Sequence, residues 1–200
     1  MTQQQQYDVV RREAAYELRR YPAHVVAEVA VRSSFERAGN EAFRTLAGYI
    51  GGRNRSRSRV AMTAPVVQAP AASERIAMTA PVVQRPEGGG TYTIAFVLPA
   101  GLDAETAPAP IDPRVTLRGV PETLSAAVRY SGRWTRAAHD RHRDLLLEAV
   151  RADGLEPAGP PRFARYNPPT TPWFLRRNEV LVEVRPAGPA ATATPPEPAR

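Results

Sequence analysis

The sequence contains no cysteine, no lysine, only three histidines (His24, His139 and His142), and no apolar run of membrane length. Each absence excludes something. Without Cys there is no disulfide framework, no thiol chemistry and no Cys-ligated zinc or iron–sulfur centre. Three His leave little material for a multi-His metal site or a catalytic triad. A membrane helix needs about 18 or more consecutive apolar residues, so no membrane insertion is expected. Residues Met1 to Gln6 are polar and lack the apolar stretch of a signal peptide, so a cytoplasmic location is expected. Because Lys is missing, all 27 basic side chains are Arg; against 20 Asp and Glu they give a formal charge of +7. A basic balance attracts polyanions. An Arg-only, Ala- and Pro-rich composition raises the charge without creating a patch, however, and no specific nucleic-acid partner is expected.

What is present is enough for a folded body. Hydrophobic residues make up 42% of 200, and a chain of this size buries about two-thirds or more of its surface. Residues 1–6, a Gln tract, and 186–200, mostly Pro and Ala, read as unstructured ends around a single domain at 7–185. Tyr16 to Tyr21 and His24 to Val31 alternate on either side of Pro22 and read as a strand pair. Ser33 reads as a helix cap with Glu36 bonding back. From Phe35 to Ile50 apolar residues recur at helical spacing, and Gly51-Gly52 stops the helix by accepting a left-handed conformation. Thr91 to Leu98 reads as a strand, and Val115 to Val120 with Leu124 to Tyr130 as a second strand pair. A second helix is expected from about Thr135 to Ala152, with a stripe of Ala138, His142, Leu145, Leu146, Ala149 and Val150. Arg162 to Tyr166 and Glu179 to Arg185 read as closing strands. The order of strands, helix and strands thus occurs twice, which favours α+β with an antiparallel sheet.

A short duplication stands out. Arg59 to Gln68 recurs as Arg75 to Gln84, with Val60 replaced by Ile76 as the one difference. A hairpin with a loop around Pro70 to Glu74 is the simple reading, and the Pro in each copy marks a strand end or bulge.

Five words in order carry a family resemblance: Tyr16-Glu17-Leu18-Arg19-Arg20-Tyr21; Leu46 to Asn54; the two Ala-Met-Thr-Ala-Pro-Val copies; Arg165-Tyr166-Asn167-Pro168-Pro169; and Arg176-Arg177-Asn178-Glu179-Val180. Together they span Tyr16 to Val184 and resemble the SOUL haem-binding proteins. The resemblance implies a distorted antiparallel β-barrel of two pseudo-symmetric halves with two flanking helices. It also implies non-covalent binding of haem or a related porphyrin, so the partner expected is a small-molecule tetrapyrrole, held by a carrier or buffer. Carried over by motif, the pocket uses Asn40, Phe43 and Ala47 on the first helix and Thr171, Trp173 and Phe174 on a C-terminal loop. Arg44, Arg53 and Arg55 are candidate propionate partners, since a guanidinium presents a planar fork to a carboxylate.

Several of these residues have a second reading. Phe43 and Leu46 also fit plain core packing, and the Arg-rich run from Arg53 to Arg59 also fits a solvated loop. Some family members place a haem-ligating His where this chain has Arg20, and a guanidinium stays protonated and cannot ligate. His24 lies near but in a strand. Met62 and Met78 are possible soft ligands, though buried Met usually fills gaps. An apolar slot without a strong axial ligand is therefore expected. His139 and His142 share a helix face; His142, in the apolar stripe, reads as a satisfied half-buried side chain. An enzyme acting on a tetrapyrrole or other planar molecule, and an Arg-rich interaction module, are the alternatives. No nucleophile elbow, phosphate loop or zinc-protease helix supports the first.

Overall fold

The computed structural model describes residues 3–56 and 73–187. In chain order the elements are β1 (Gln3–Gln4), β2 (Asp8–Arg12), β3 (Glu17–Tyr21), β4 (His24–Arg32), α1 (Phe35–Ile50), β5 (Asn54–Arg55), β6 (Thr79–Ala80), β7 (Val82–Gly88) and β8 (Thr91–Val97). After these come β9 (Ala109–Pro110), β10 (Thr116–Val120), β11 (Thr123–Tyr130), α2 (Arg136–Ala152), β12 (Leu155–Pro157), β13 (Arg162–Arg165), a 3-10 turn (Trp173–Leu175) and β14 (Asn178–Pro186). The fold is α+β: two helices on a large, curled antiparallel sheet that forms a half-barrel.

The main sheet runs β10-β4-β8-β7-β13-β14-β11-β3-β2, with β12 added on β14. Exchanging β3 with β10, β4 with β11, β7 with β13 and β8 with β14 reverses the order of those eight strands. The sheet is therefore palindromic, and the pseudo-twofold passes between β7 and β13, where Ala164 faces Val83. The two expected strand pairs do not pair internally. β3 lies against β11 and β4 against β10, with Tyr21 opposite Thr123 and His24 opposite Val120. Each connection has two residues and one Pro (Pro22-Ala23, Pro121-Glu122). Pro locks φ at about −65°, whereas the favoured two-residue hairpin turns need a positive φ at that position, so the strands part and each finds its partner in the other half. One core cluster unites the halves. It holds Leu18, Val25 and Val29 with Phe35, Leu46 and Tyr49, and also Tyr130, Leu146, Val150, Phe163, Val180 and Val182.

Helix α1 has the expected bounds, but its end details differ. Ser34, not Ser33, is the N-cap, without a side-chain bond. The Glu36 carboxylate instead accepts the Arg136 backbone N–H at 3.0 Å, tying the starts of the two helices together. Gly51 is right-handed, and it is Gly52 that takes positive φ (+113°). In α2, Thr135 caps the helix by accepting from the Ala138 N–H. The buried positions are His139, Leu146 and Val150, whereas Leu145 is 56% exposed. Leu146 and Val150 are thus buried as expected and Ala138 and Ala149 pack on the core, while His139 is buried in addition and Leu145 faces outward.

At the N-terminus, the Gln tract is not free: Gln3 N–H donates to the Met78 carbonyl (3.0 Å) and Gln5 N–H to Ala80 (2.8 Å). Backbone pairing of this kind asks nothing of the side chains, so composition did not announce it. The first copy of the duplication and the loop expected after it, up to Ala72, lie outside the described residues. The second copy supplies β6 and the start of β7, and Pro81 stands in the break between them.

Candidate functional site

Helix α1 buries Phe35, Ala38, Ala42, Leu46, Tyr49 and Ile50 at helical spacing, which leaves Asn40 and Phe43 on its flank. Beside that flank is an open, mainly apolar cleft of about 340 Å³, at the small end of the ligand-site range. Gly39, Asn40 and Phe43 form one wall. Met78, Ala80 and Val82 form the floor, and Trp134 with Arg165 to Pro169 the opposite wall. Phe43 is 40% exposed and packs edge-on against Phe96, ring centres 5.5 Å apart. A Cβ at Gly39 would lie 2.8 Å from Arg165 Nη1, so a larger residue there would displace the guanidinium tip.

The Trp134 ring is held on three sides. Its Nε1–H donates to Asn178 Oδ1 at 2.8 Å. The Arg165 guanidinium lies 4.8 Å and that of Arg176 4.2 Å from its centre, within cation–π range. Arg176 also donates to the Thr171 and Pro169 carbonyls (2.8 and 2.7 Å), and Arg177 N–H donates to Asn167 Oδ1 at 2.6 Å. These bonds close the 166–177 loop against the cleft.

Behind the loop sits a buried charge cluster. Glu179 is fully buried and accepts from Arg19 (2.7 and 3.2 Å), Arg177 (2.8 and 3.0 Å) and the Tyr166 hydroxyl (2.9 Å). Burial disfavours the Arg19 cation, but its bonds to Glu179 and that carboxylate's charge outweigh it and hold the guanidinium above its usual range. Burial, reinforced by the charge on Glu179, pushes the Tyr166 phenol upward. The Arg-Arg-Asn-Glu word therefore has a structural reading residue by residue: Arg176 and Asn178 fix Trp134, while Arg177 and Glu179 fix the loop.

Of the residues expected from sequence, Asn40 and Phe43 line the cleft. Arg44 lines a neighbouring surface concavity with Arg37, Glu41 and Arg114, which shares Asn40 with the cleft. Ala47 is half-buried outside the cleft wall, and Arg53 is exposed, running along Gly48. Thr171 lies in the loop. Trp173 and Phe174 sit in the 3-10 turn, 49% and 58% exposed, packed on each other rather than on the cleft. Sequence reasoning missed Trp134, a lone aromatic with no local pattern. It also missed Arg165, although the family word Arg165 to Pro169 pointed at that wall.

No His lines the cleft. His24 faces the opposite side of the sheet, beside Val83 and Arg118, and bonds Pro22 O and Gln5. The two sides are separated by strand alternation, since Val82 faces the cleft and Val83 the other face. His142 stacks on Tyr130 at 3.8 Å, with Nδ1 against the Ala138 carbonyl. Among the described residues there is no cluster of three metal-ligating side chains, and none of the helices is long and apolar enough to cross a membrane. The cleft combines apolar walls, the Trp134 ring, a buried cation in Arg165 and the thioether of Met78.

In fold, the chain is similar to the EcmrR C-terminal domain (TM-score 0.58, 10% identity, 90% of this chain and 98% of that one). It is also similar to a hydrolase from Listeria innocua (TM-score 0.53, 12% identity, 83% and 90%). No curated protein matches the chain. The sequence profile of the SOUL heme-binding proteins matches residues 2–73 and 68–183. The two matched stretches meet between the copies of the duplication and together take in α1, the cleft-lining loop and the buried Glu179; the chain belongs to the SOUL heme-binding protein family.

Proposed function

We propose that the protein binds haem or a related tetrapyrrole non-covalently in the cleft between α1 and the 165–169 wall, as a carrier or buffer. Family membership supports haem binding in general. The observation that carries the reading is the cleft itself, an apolar slot bordered by Phe43, Trp134 and Met78 with a buried Arg at its side. Its position beside the first helix is where the family resemblance places a pocket. With no His in the lining, iron receives no imidazole there, and binding rests on shape, burial of the ring and charge. Asn40, Phe43, Trp134 and Arg165 would hold the ring.

The test is a titration of the purified protein with haemin and, in parallel, protoporphyrin IX, following the Soret band and Trp fluorescence. Saturable 1:1 binding of both with similar affinity is expected. A ligand bound only when iron is present refutes binding by shape, and absence of binding by either at micromolar concentration refutes the function.

A further inference from the structure

Arg165 differs from the other well-buried Arg residues. Arg19 is paired with Glu179, and Arg162 reaches Glu183 at 3.3 Å. Arg165 is 5% exposed, yet its only acceptors are neutral: Nη2 donates to the Phe35 carbonyl (3.3 Å) and to Gln84 Oε1 (3.0 Å). Its Nε is buried without a partner, and Nη1, lying against Gly39 on the cleft wall, has no acceptor among the described residues. No described carboxylate stands within ion-pair distance, and Glu36 acts on it only at longer range. Burial pulls its pKa down to about 10, which leaves it charged at neutral pH. A buried charge is costly unless it is paired. This one is held at the edge of an apolar cleft with donors to spare, braced by the Trp134 and Phe163 rings (4.8 and 5.1 Å). Arg176, across the Trp134 ring, is less buried and is tied to the loop carbonyls of Thr171 and Pro169.

We infer that Arg165 is an anion subsite inside the cleft, which takes a carboxylate of the bound ligand and selects lipophilic anions over neutral molecules of the same shape. On the tetrapyrrole reading, on which this builds, one propionate points inward to Arg165 instead of outward to solvent. Arg44, Arg53 and Arg55, the partners that sequence proximity suggested, are then not needed for it. A guanidinium–carboxylate bond is charge-assisted and gains strength where water is excluded.

The experiment compares protoporphyrin IX with its dimethyl ester on the wild type, Arg165→Met and Arg165→Lys, folding being checked by circular dichroism. The wild type is expected to bind the diacid about tenfold or more tightly than the ester. Arg165→Met should lose that preference and Arg165→Lys keep part of it. Equal binding of diacid and ester by the wild type, or a preference that survives Arg165→Met, overturns the inference while leaving tetrapyrrole binding intact. Should Arg165→Met fail to fold, the wild-type ratio decides alone. If the wild type binds neither porphyrin, the tetrapyrrole reading fails, and the subsite is read with two dyes, 1-anilinonaphthalene-8-sulfonate and the neutral N-phenyl-1-naphthylamine. Preference for the sulfonate that disappears in Arg165→Met supports the inference; equal binding, or none, overturns it.

Discussion

Replacing Glu179 by Gln changes one atom and removes one charge, at a site where the structure makes charge decisive. Glu179 is 0% exposed, and everything that faces it donates: two guanidinium groups and the Tyr166 hydroxyl. A Gln amide there turns an NH2 toward donors and leaves the buried Arg19 and the half-buried Arg177 without their shared counter-ion. Arg19 keeps a bond to Glu17 Oε2 at 2.9 Å, but Glu17 is 31% exposed and partly solvated. Breaking a buried pair by removing one partner costs about 3–5 kcal/mol, a large fraction of a total stability of about 5–15 kcal/mol. For a chain of this size that is a fall in Tm of about 6–20 °C. Thermal and urea melts followed at 222 nm measure it. Glu17→Gln is the control: it touches the same Arg19 from a partly solvated position and should cost less than about 1 kcal/mol. Because the cluster also anchors Tyr166 and Arg177 beside the cleft, Glu179→Gln should weaken porphyrin binding in the fraction that stays folded. A loss of stability below about 1 kcal/mol would refute the claim that the cluster depends on its charge.

Other substitutions separate the cleft from its surroundings. Phe43→Ala should lower porphyrin affinity about fivefold or more while changing stability by less than about 1 kcal/mol, since the ring is already 40% exposed. The double change Trp173→Ala with Phe174→Ala should leave affinity within about threefold; a larger loss in the Soret titration would show that the 3-10 turn closes over the ligand. His24→Ala should leave the haem spectrum unchanged, because His24 lies on the other face of the sheet. Acid should destabilise the protein before its carboxylates titrate. Burial lowers the pKa of His139, only partly offset by Asp140, and burial lowers His24 as well. A depressed His binds fewer protons folded than unfolded, so stability is fully present above the unfolded value of 6.5 and is lost as pH falls through it. The urea midpoint should drop between pH 7.5 and 5.5, and His139→Leu should flatten that slope.

How much of this was legible depends on whether the signal was local. Helix α1 was legible to within a residue because its apolar spacing is unambiguous, although the cap falls on Ser34 and the left-handed Gly is Gly52. In α2, Leu146 and Val150 were legible as buried, whereas the burial of His139 and the exposure of Leu145 follow from contact with β11 and β14. Most of the longer strands were legible, β2 and β12 were not, and the partners were misread because a two-residue connection between alternating runs reads as a hairpin. The Pro in each connection was the physical warning, and the palindromic order of the sheet is its consequence. For the site, the helix positions Asn40 and Phe43 followed from the family words. Of the arginines named as propionate partners, Arg44 lies on α1 in a concavity that shares Asn40 with the cleft, whereas Arg53 and Arg55 do not line the cleft.

Arg165 was not legible in the same way. In a sequence whose 27 basic residues are all Arg, residue type carries no contrast between a solvated cation and a buried one. What distinguishes Arg165 is tertiary: a Gly39 that leaves room for it, a Trp134 that covers it, and the lack of a carboxylate that Arg19 and Arg162 both have. Were Arg165 only a wall, an uncharged side chain of its length would fill the same space without the cost of burying an unpaired charge. The charge is thus the feature that needs a functional reason, and a ligand carboxylate supplies one.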